Sequence, residues 1–599
     1  MTTQADRVGR AIGLAAAAAG LAIGLAAGGL GARAAQKEQP GDRKTVPPMP
    51  VDDIILVGAA ECKNCHEEEN PERKQLYKET LGYQFVRLWE NKVWEAHDLH
   101  SEAYKNLLTE RSKGKSKAPA NKTATVMEDN LRRAYGKDDY TVATDTRCLA
   151  CHSSTKAPVT PTTVAGWTVK SFATAEGVSC EMCHGHGGAY LNRHKDSVAV
   201  DGDPPEGEAT KYVPWREADP ARKTAWGLVN LRDPAVATAR CASCHVGNLA
   251  EGRFVTHEMF AAGHPPLPPL DLIAYAREQP RHWGLPPEMP YLTGLAKTAP
   301  EKAWKQFHYR GGESYTTRRF AESAVAALKA NLDLTAQLAA DAEKTGNGLD
   351  FSAFDCYACH HDLKYPSDRQ ARGYFGPPGR PLFRPAPFAL ARVVADNAAG
   401  LAGGEALAGR GAALFEVEKE LARAFGSKTF GDPALIQKAV ARGTGLTADT
   451  LAALQKLTYD PAARDKLLAA VAAAAGQGAD PKAAAAGRLP VADPEVAQLY
   501  AWAYETLALD QAGPPPSPKS GPEPLPKAVA DLHAKLDGFV VTRLRPGVKF
   551  TYEVRPTSGH PSPSLESVDR RLQQRMAVFN SFKAEPFRQA FTGPAPPKQ

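Results

Sequence analysis

The sequence predicts a mainly α-helical protein with extensive loops. Apolar residues recur at helical spacing in segments such as Leu81 to Leu108 and Ala303 to Glu343, and few segments alternate as strands do. Long stretches such as Val198 to Arg222 mix Pro, Gly and charge without a period. At 599 residues the chain exceeds one typical domain, so two or three folding units are expected. A hydrophobic fraction of 43% and a charged fraction of 23% are ordinary for a globular chain. Lys and Arg number 73 against 67 Asp and Glu, a formal +6 with no long basic run, which argues against nucleic acid as a partner.

Along the chain, Arg7 and Arg10 precede an apolar stretch from Ala11 to about Ala32, and Ala32-Arg33-Ala34 supplies a small-x-small exit. Residues 1–34 therefore read as a cleavable export signal. An uncleaved membrane anchor is the alternative, because Ala11 to Gly31 is long enough to cross a bilayer, although its Ala and Gly make it weakly hydrophobic. Residues 35–56, with Pro40, Pro47, Pro48 and Pro50, read as a tether. Residues 57–365 hold every cysteine and most of the histidines. Beyond them, residues 366–512 turn Ala- and Leu-rich, with amphipathic segments at Phe388 to Ala402, Glu405 to Phe425, Ala463 to Ala475 and Pro494 to Leu509. This is expected to be a helical C-terminal region. Residues 513–527 form a Pro-rich linker, and residues 528–599 a last segment with a helix from Ser564 to Phe582.

The ten cysteines decide the chemistry. They fall into five copies of one pattern: Cys62-x-x-Cys65-His66, Cys148-x-x-Cys151-His152, Cys180-x-x-Cys183-His184, Cys241-x-x-Cys244-His245 and Cys356-x-x-Cys359-His360. None is left over for a disulfide. This is the attachment pattern of c-type haem. Two cysteines three apart lie on one side of a helical turn and can each form a thioether to a haem vinyl group, while the adjacent histidine binds the iron. Residue frequencies predict only about 0.005 chance copies of the pattern in such a chain. Paired zinc sites or redox dithiols would give no reason for a histidine after every second cysteine. The expected cofactor is haem c, five copies covalently attached, in a multihaem cytochrome domain spanning residues 57–365.

Each haem with six iron ligands also needs a distal one. Eleven histidines remain after the five proximal ones. Methionine outside the motif, the tether and the start is confined to Met127, Met259, Met289 and Met576, which favours haems of low potential with two histidines each. His257 and His264 would share a face two turns apart, with Pro265 ending the helix. His361 directly follows a proximal histidine and can reach only a neighbouring haem. His186 is too close to His184 to be more than a supporting residue. His282, His308, His533 and His560 lack comparable context and read as structural or exposed.

The flanking residues carry a resemblance. Val57-Gly58-Ala59-Ala60-Glu61-Cys62, Asp98-Leu99-His100-Ser101-Glu102-Ala103-Tyr104, Glu176-Gly177-Val178-Ser179 before Cys180, Cys244-His245-Val246-Gly247, His257 to Pro265, and Phe354 to Leu363 occur in that order. Together they resemble the multihaem cytochromes of the c-554/c-prime family, over about Val57 to Leu363. The resemblance implies a helical, loop-rich fold with haems packed in pairs, and service as a periplasmic electron carrier. It also marks His100 as a distal ligand, with His97 as the fallback, and His194 as the downstream histidine of the third motif. With His257, His264 and His361 this makes five distal candidates for five haems. Tetrahaem members have one motif fewer, and the resemblance is silent on the last two hundred or so residues.

Gly177-Val178-Ser179-Cys180 is also similar to the third motif of pentahaem nitrite reductases and octahaem hydroxylamine oxidoreductases. Nitrite reductases usually carry Lys in place of the catalytic haem's histidine, and no motif here does. Electron transfer to redox partner proteins is therefore expected, by itself or within a membrane-associated chain. The alternative is an oxidoreductase acting on nitrite, hydroxylamine or a small sulfur compound. The helical C-terminal region is expected to shield apolar haem edges or to dock a partner.

Overall fold

The computed structural model describes residues 56–67, 82–86, 88–114, 119–156, 162–164, 167–169, 174–191, 193–195, 197–199, 212–360, 379–477, 491, 493–511, 527, 530–531 and 584–592. The export signal, the helix expected at Ser564 to Phe582, and His361, His533 and His560 lie outside them. The protein is mainly α. Among the described residues the sheet structure is two short antiparallel pairs, Thr162–Val164 with Trp167–Val169 and Ser197–Ala199 with Tyr212–Pro214. No helix among them is long and apolar enough to cross a membrane.

Local chemistry starts many of the helices. Asp219, Asp233, Asp432 and Asp460 each accept backbone N–H groups of the following turn, with Pro at the first helical position. Asp493 does the same for Glu495 and Val496 ahead of the helix Pro494–Gln511. The Asp oxygen satisfies donors that have no partner within the helix, and Pro lacks the N–H that would go unpaired there. The helix Pro433–Leu454 is poorly announced by periodicity, because Gly443, Thr447 and Thr450 stand among its buried residues. Its Asp432-Pro433 start is the better signal.

The spine is the helix Tyr315–Thr345, buried almost all round between Thr317 and Leu328. It packs on Pro234–His245 and Leu272–Glu278 of the cysteine-bearing region and on Ala386–Ala398, Pro433–Leu454 and Pro494–Gln511 of the C-terminal region. One hydrophobic core consequently runs from Ala237 through Phe320 and Leu328 to Phe425, Leu467 and Phe587. Phe425, 1% exposed, meets Phe354 and Phe383 at ring centroids 5.3 and 5.7 Å away. Phe425→Ala is expected to cost about 3–5 kcal/mol, read as a lowered denaturant midpoint. A midpoint like wild type would mean that this junction is not part of the cooperative core.

The segment Ala303 to Glu343, with its helical spacing, folds as two helices, Pro300–Phe307 and Tyr315–Thr345. His308 adopts φ 50, a left-handed conformation that few non-glycine residues take. Its ring sits 4.0 Å from that of Trp304, and its Nε2 lies 3.1 Å from Glu322 Oε2. Beside it, Arg318 is buried between Glu313 and Glu322 and donates to the Leu457 carbonyl. Arg318→Met would leave buried Glu313 with Arg310 alone, 3.7 Å away, and buried Glu322 with His308 alone. The expected loss is about 3–5 kcal/mol, to be checked by thermal unfolding.

Candidate functional site

All five Cys-x-x-Cys-His motifs lie on or at the end of a helix: Ala59–His66, Thr146–His152, Cys180–His184, Pro234–His245 and Cys356–Cys359. Helical geometry therefore sets the two sulfurs of each motif side by side, with the histidine closing the turn. After the third motif Gly185 adopts φ 87, and a Cβ there would collide with the Gly227 carbonyl oxygen, so only glycine fits. Buried Glu181 accepts N–H groups from Gly58 (2.8 Å) and Gly187 (2.6 Å), clamping the start of the first motif's helix to the third motif. Burial pushes its carboxyl above the ordinary range, against these hydrogen bonds.

The motifs also meet one another. Contact with Cys180, then burial, raises the Cys62 thiol, so the first and third motifs adjoin. Contact with Cys151 lowers Cys244, so the second and fourth adjoin. Among the described residues no cysteine of another motif acts on the fifth. Its lead-in is tied to the helix His257–Ala262, because the His257 N–H donates to Asp350 Oδ1 at 2.9 Å.

Four of the motif histidines face a second histidine. His66 and His194 have ring centroids 6.3 Å apart, His184 and His282 6.3 Å, His245 and His100 6.1 Å, and His360 and His257 6.4 Å. An iron about 2.0 Å from each ring nitrogen, with each ring centre a further roughly 1.1 Å out, would set centroids about 6.2 Å apart. The four gaps fit that spacing.

The rings are also oriented for metal. The Nδ1 of His100 lies 2.9 Å from Asp98 Oδ1, that of His194 3.2 Å from the Tyr190 carbonyl, that of His66 3.3 Å from Glu90 Oε2 and that of His282 3.4 Å from the Pro280 carbonyl. An Nδ1–H donated in this way leaves the Nε2 lone pair free to bind metal. Burial holds His245 down at about 4, favouring the neutral form that a metal requires. At His100 burial pulls the same way, but the Asp98 hydrogen bond and charge prevail and raise it.

Of the distal candidates, the structure sets His100, His194 and His257 opposite motif histidines. His97 is exposed at the end of Glu90–His97. His282, which local sequence gives no reason to single out, faces His184 from a loop whose only marker is its flanking Pro280 and Trp283. His186 is part-buried, its Nδ1 has no hydrogen-bond partner, and burial holds it at about 4. Among the described residues no aromatic ring stands opposite His152, whose Nδ1 lies 2.9 Å from the Ala103 carbonyl. His264 follows the helix His257–Ala262, and Ala262 shares a cluster with Cys148 of the second motif. Its Nδ1 lies 2.8 Å from the Pro265 carbonyl, the same held-ring arrangement.

Cysteines paired on a helical turn, a histidine after each pair, and facing imidazoles at iron-bridging distance define a c-type cytochrome. Such a protein binds haem covalently and uses it for electron transfer. Residues 61–185, which include the first three motifs, match the model of the family described as cytochrome c554 and c-prime. No curated protein and no solved structure matches the chain. The fourth and fifth motifs lie beyond the matched residues.

Proposed function

We propose that this protein is an exported electron carrier with five covalent haems, at least four of them held by two histidines. The single observation carrying this reading is the set of four histidine pairs at 6.1 to 6.4 Å. Two imidazoles on one iron fix its coordination in both oxidation states, so little rearranges when an electron arrives or leaves. Haem spacing shorter than protein width then lets electrons pass from edge to edge. The adjoining first and third motifs, and second and fourth, supply such close pairs. The basic start, apolar stretch and small-residue exit of residues 1–34 support export. The C-terminal helices, sharing one core with the haem-motif region, serve as a structural shield for it and present the outer face that a redox partner meets.

A second reading rests on His152. An iron bound there with no second histidine could take a small ligand, as an oxidoreductase acting on nitrite, hydroxylamine or a sulfur compound requires. His264 is the residue that would close this position, given its held ring and its helix beside Cys148. Electron paramagnetic resonance of the oxidised protein, before and after nitrite or hydroxylamine, separates the two. Five low-spin haems indifferent to either compound support the carrier. A high-spin haem that binds and turns one over supports the enzyme.

A further inference from the structure

Between the third and fourth motifs lies a group of cations that form no ion pair among the described residues. Arg232 immediately precedes the helix that carries Cys241 and His245, and the segment before it is tied to the third motif by the Val229 N–H donated to the His184 carbonyl, 3.0 Å. The Arg232 guanidinium stands 5.9 and 5.7 Å from the ring centres of Phe85 and Phe307. Among the described residues it meets no carboxylate. Arg319 approaches the same place from the helix Tyr315–Thr345, donating to the Tyr315 hydroxyl at 3.3 Å, and its charge reaches Cys241 of the fourth motif. Lys223, 8% exposed, donates to the neutral Arg216 carbonyl at 3.1 Å and feels the more distant charge of Asp219.

Nearby carboxylates are already engaged elsewhere. Glu217 pairs with Lys302 at 2.9 Å and Asp219 with Lys305 at 2.7 Å. The cations instead repel one another: burial first, then Arg232, lowers Lys223 to about 8, and burial followed by Arg319 lowers Arg232. Like charges gathered in a poorly hydrated place with no opposite charge are costly. Such an arrangement is relieved when an anion completes it.

We propose that Arg232 and Arg319, with Lys223 beside them, form an anion site that takes carboxylate or similar oxyanion oxygens. The fitting ligand is the propionate edge of a haem bound at the third or fourth motif, so the inference rests on the reading that those motifs carry haem. A dissolved oxyanion offers the same chemistry. Lys223, Arg232 and Arg319 would then hold the haem's carboxylates while the cysteines hold its other edge, and their positive charge would favour the electron-rich reduced state.

The test uses the complete holoprotein, with haem number by mass spectrometry and midpoint potentials by spectroelectrochemical titration, in the absence and presence of sodium sulfate and sodium nitrite. For a propionate site, R232L lowers one or two midpoint potentials whatever the added anion, R232K restores them, and haem number stays unchanged. For a dissolved oxyanion, the wild-type potentials move with sulfate or nitrite and those of R232L do not. R319Q, which removes the second cation while leaving Arg232 in place, repeats either pattern more weakly and serves if R232L does not assemble. A full haem complement with potentials and anion responses identical to wild type in the variants overturns the anion site alone. Haem missing from the third and fourth motifs of the wild type overturns the underlying reading and the propionate site together.

Discussion

Denatured wild-type holoprotein is expected to retain the mass of five haems, and each Cys-to-Ser pair variant to lose one of them completely. Thioether bonds survive unfolding, whereas a haem held only by axial histidines is released. The expectation covers C62S/C65S, C148S/C151S, C180S/C183S, C241S/C244S and C356S/C359S, each motif being self-contained on its own helical turn. The fifth pair is the most informative, because it lies beyond the segment matching the cytochrome c554 and c-prime family. A wild type with fewer than five additions, or a pair variant with an undiminished count, would refute the stoichiometry. Neighbouring motifs that adjoin through Cys62 and Cys180 can lose order together, so the count should be taken on protein freshly purified from the expressing cell.

His282→Ala is expected to convert one low-spin haem into a high-spin one and to open its iron to added cyanide or nitrite. His282 faces His184 at 6.3 Å. His282→Met, supplying a thioether sulfur instead, is expected to keep the haem low-spin and raise its potential by a sizeable part of the roughly 0.8 V that axial ligation spans. Paramagnetic resonance and redox titration read the two effects separately. A spectrum and potentials unchanged in both variants would mean that the facing geometry of His184 and His282 is incidental. His194→Ala and His257→Ala provide comparisons at the first and fifth motifs, where sequence context alone already points to the histidine.

The helical class was legible because apolar residues at helical spacing persist through the C-terminal region, and Phe388 to Ala402 and Pro494 to Leu509 overlap Ala386–Ala398 and Pro494–Gln511 closely. Two features were not. The helical spacing of Ala303 to Glu343 is interrupted at His308, where Trp304 one turn back and Glu322 of the next helix hold a backbone conformation that periodicity cannot register. The helix Pro433–Leu454 is obscured by small and hydroxyl-bearing residues on its buried side. At Gly443 a side chain would meet Leu332 and Val417, so close approach of helices replaces apolar bulk.

The candidate site divides along the same line. By itself the sequence determined which sulfurs and imidazoles lie together, since two cysteines and a histidine within five residues are placed by one turn of helix and need no help from the rest of the chain. It also pointed to His100, His194 and His257 through the residues around them. Only the tertiary structure decided which histidine faces which: His194 meets His66, His100 meets His245, His257 meets His360, and His282 meets His184 from a loop. The physical reason is that facing a motif histidine requires a direction and a distance set by a different element of the fold. No local pattern of residue types encodes that, and a histidine between a proline and a tryptophan can meet the requirement as well as one on a recognisable helix.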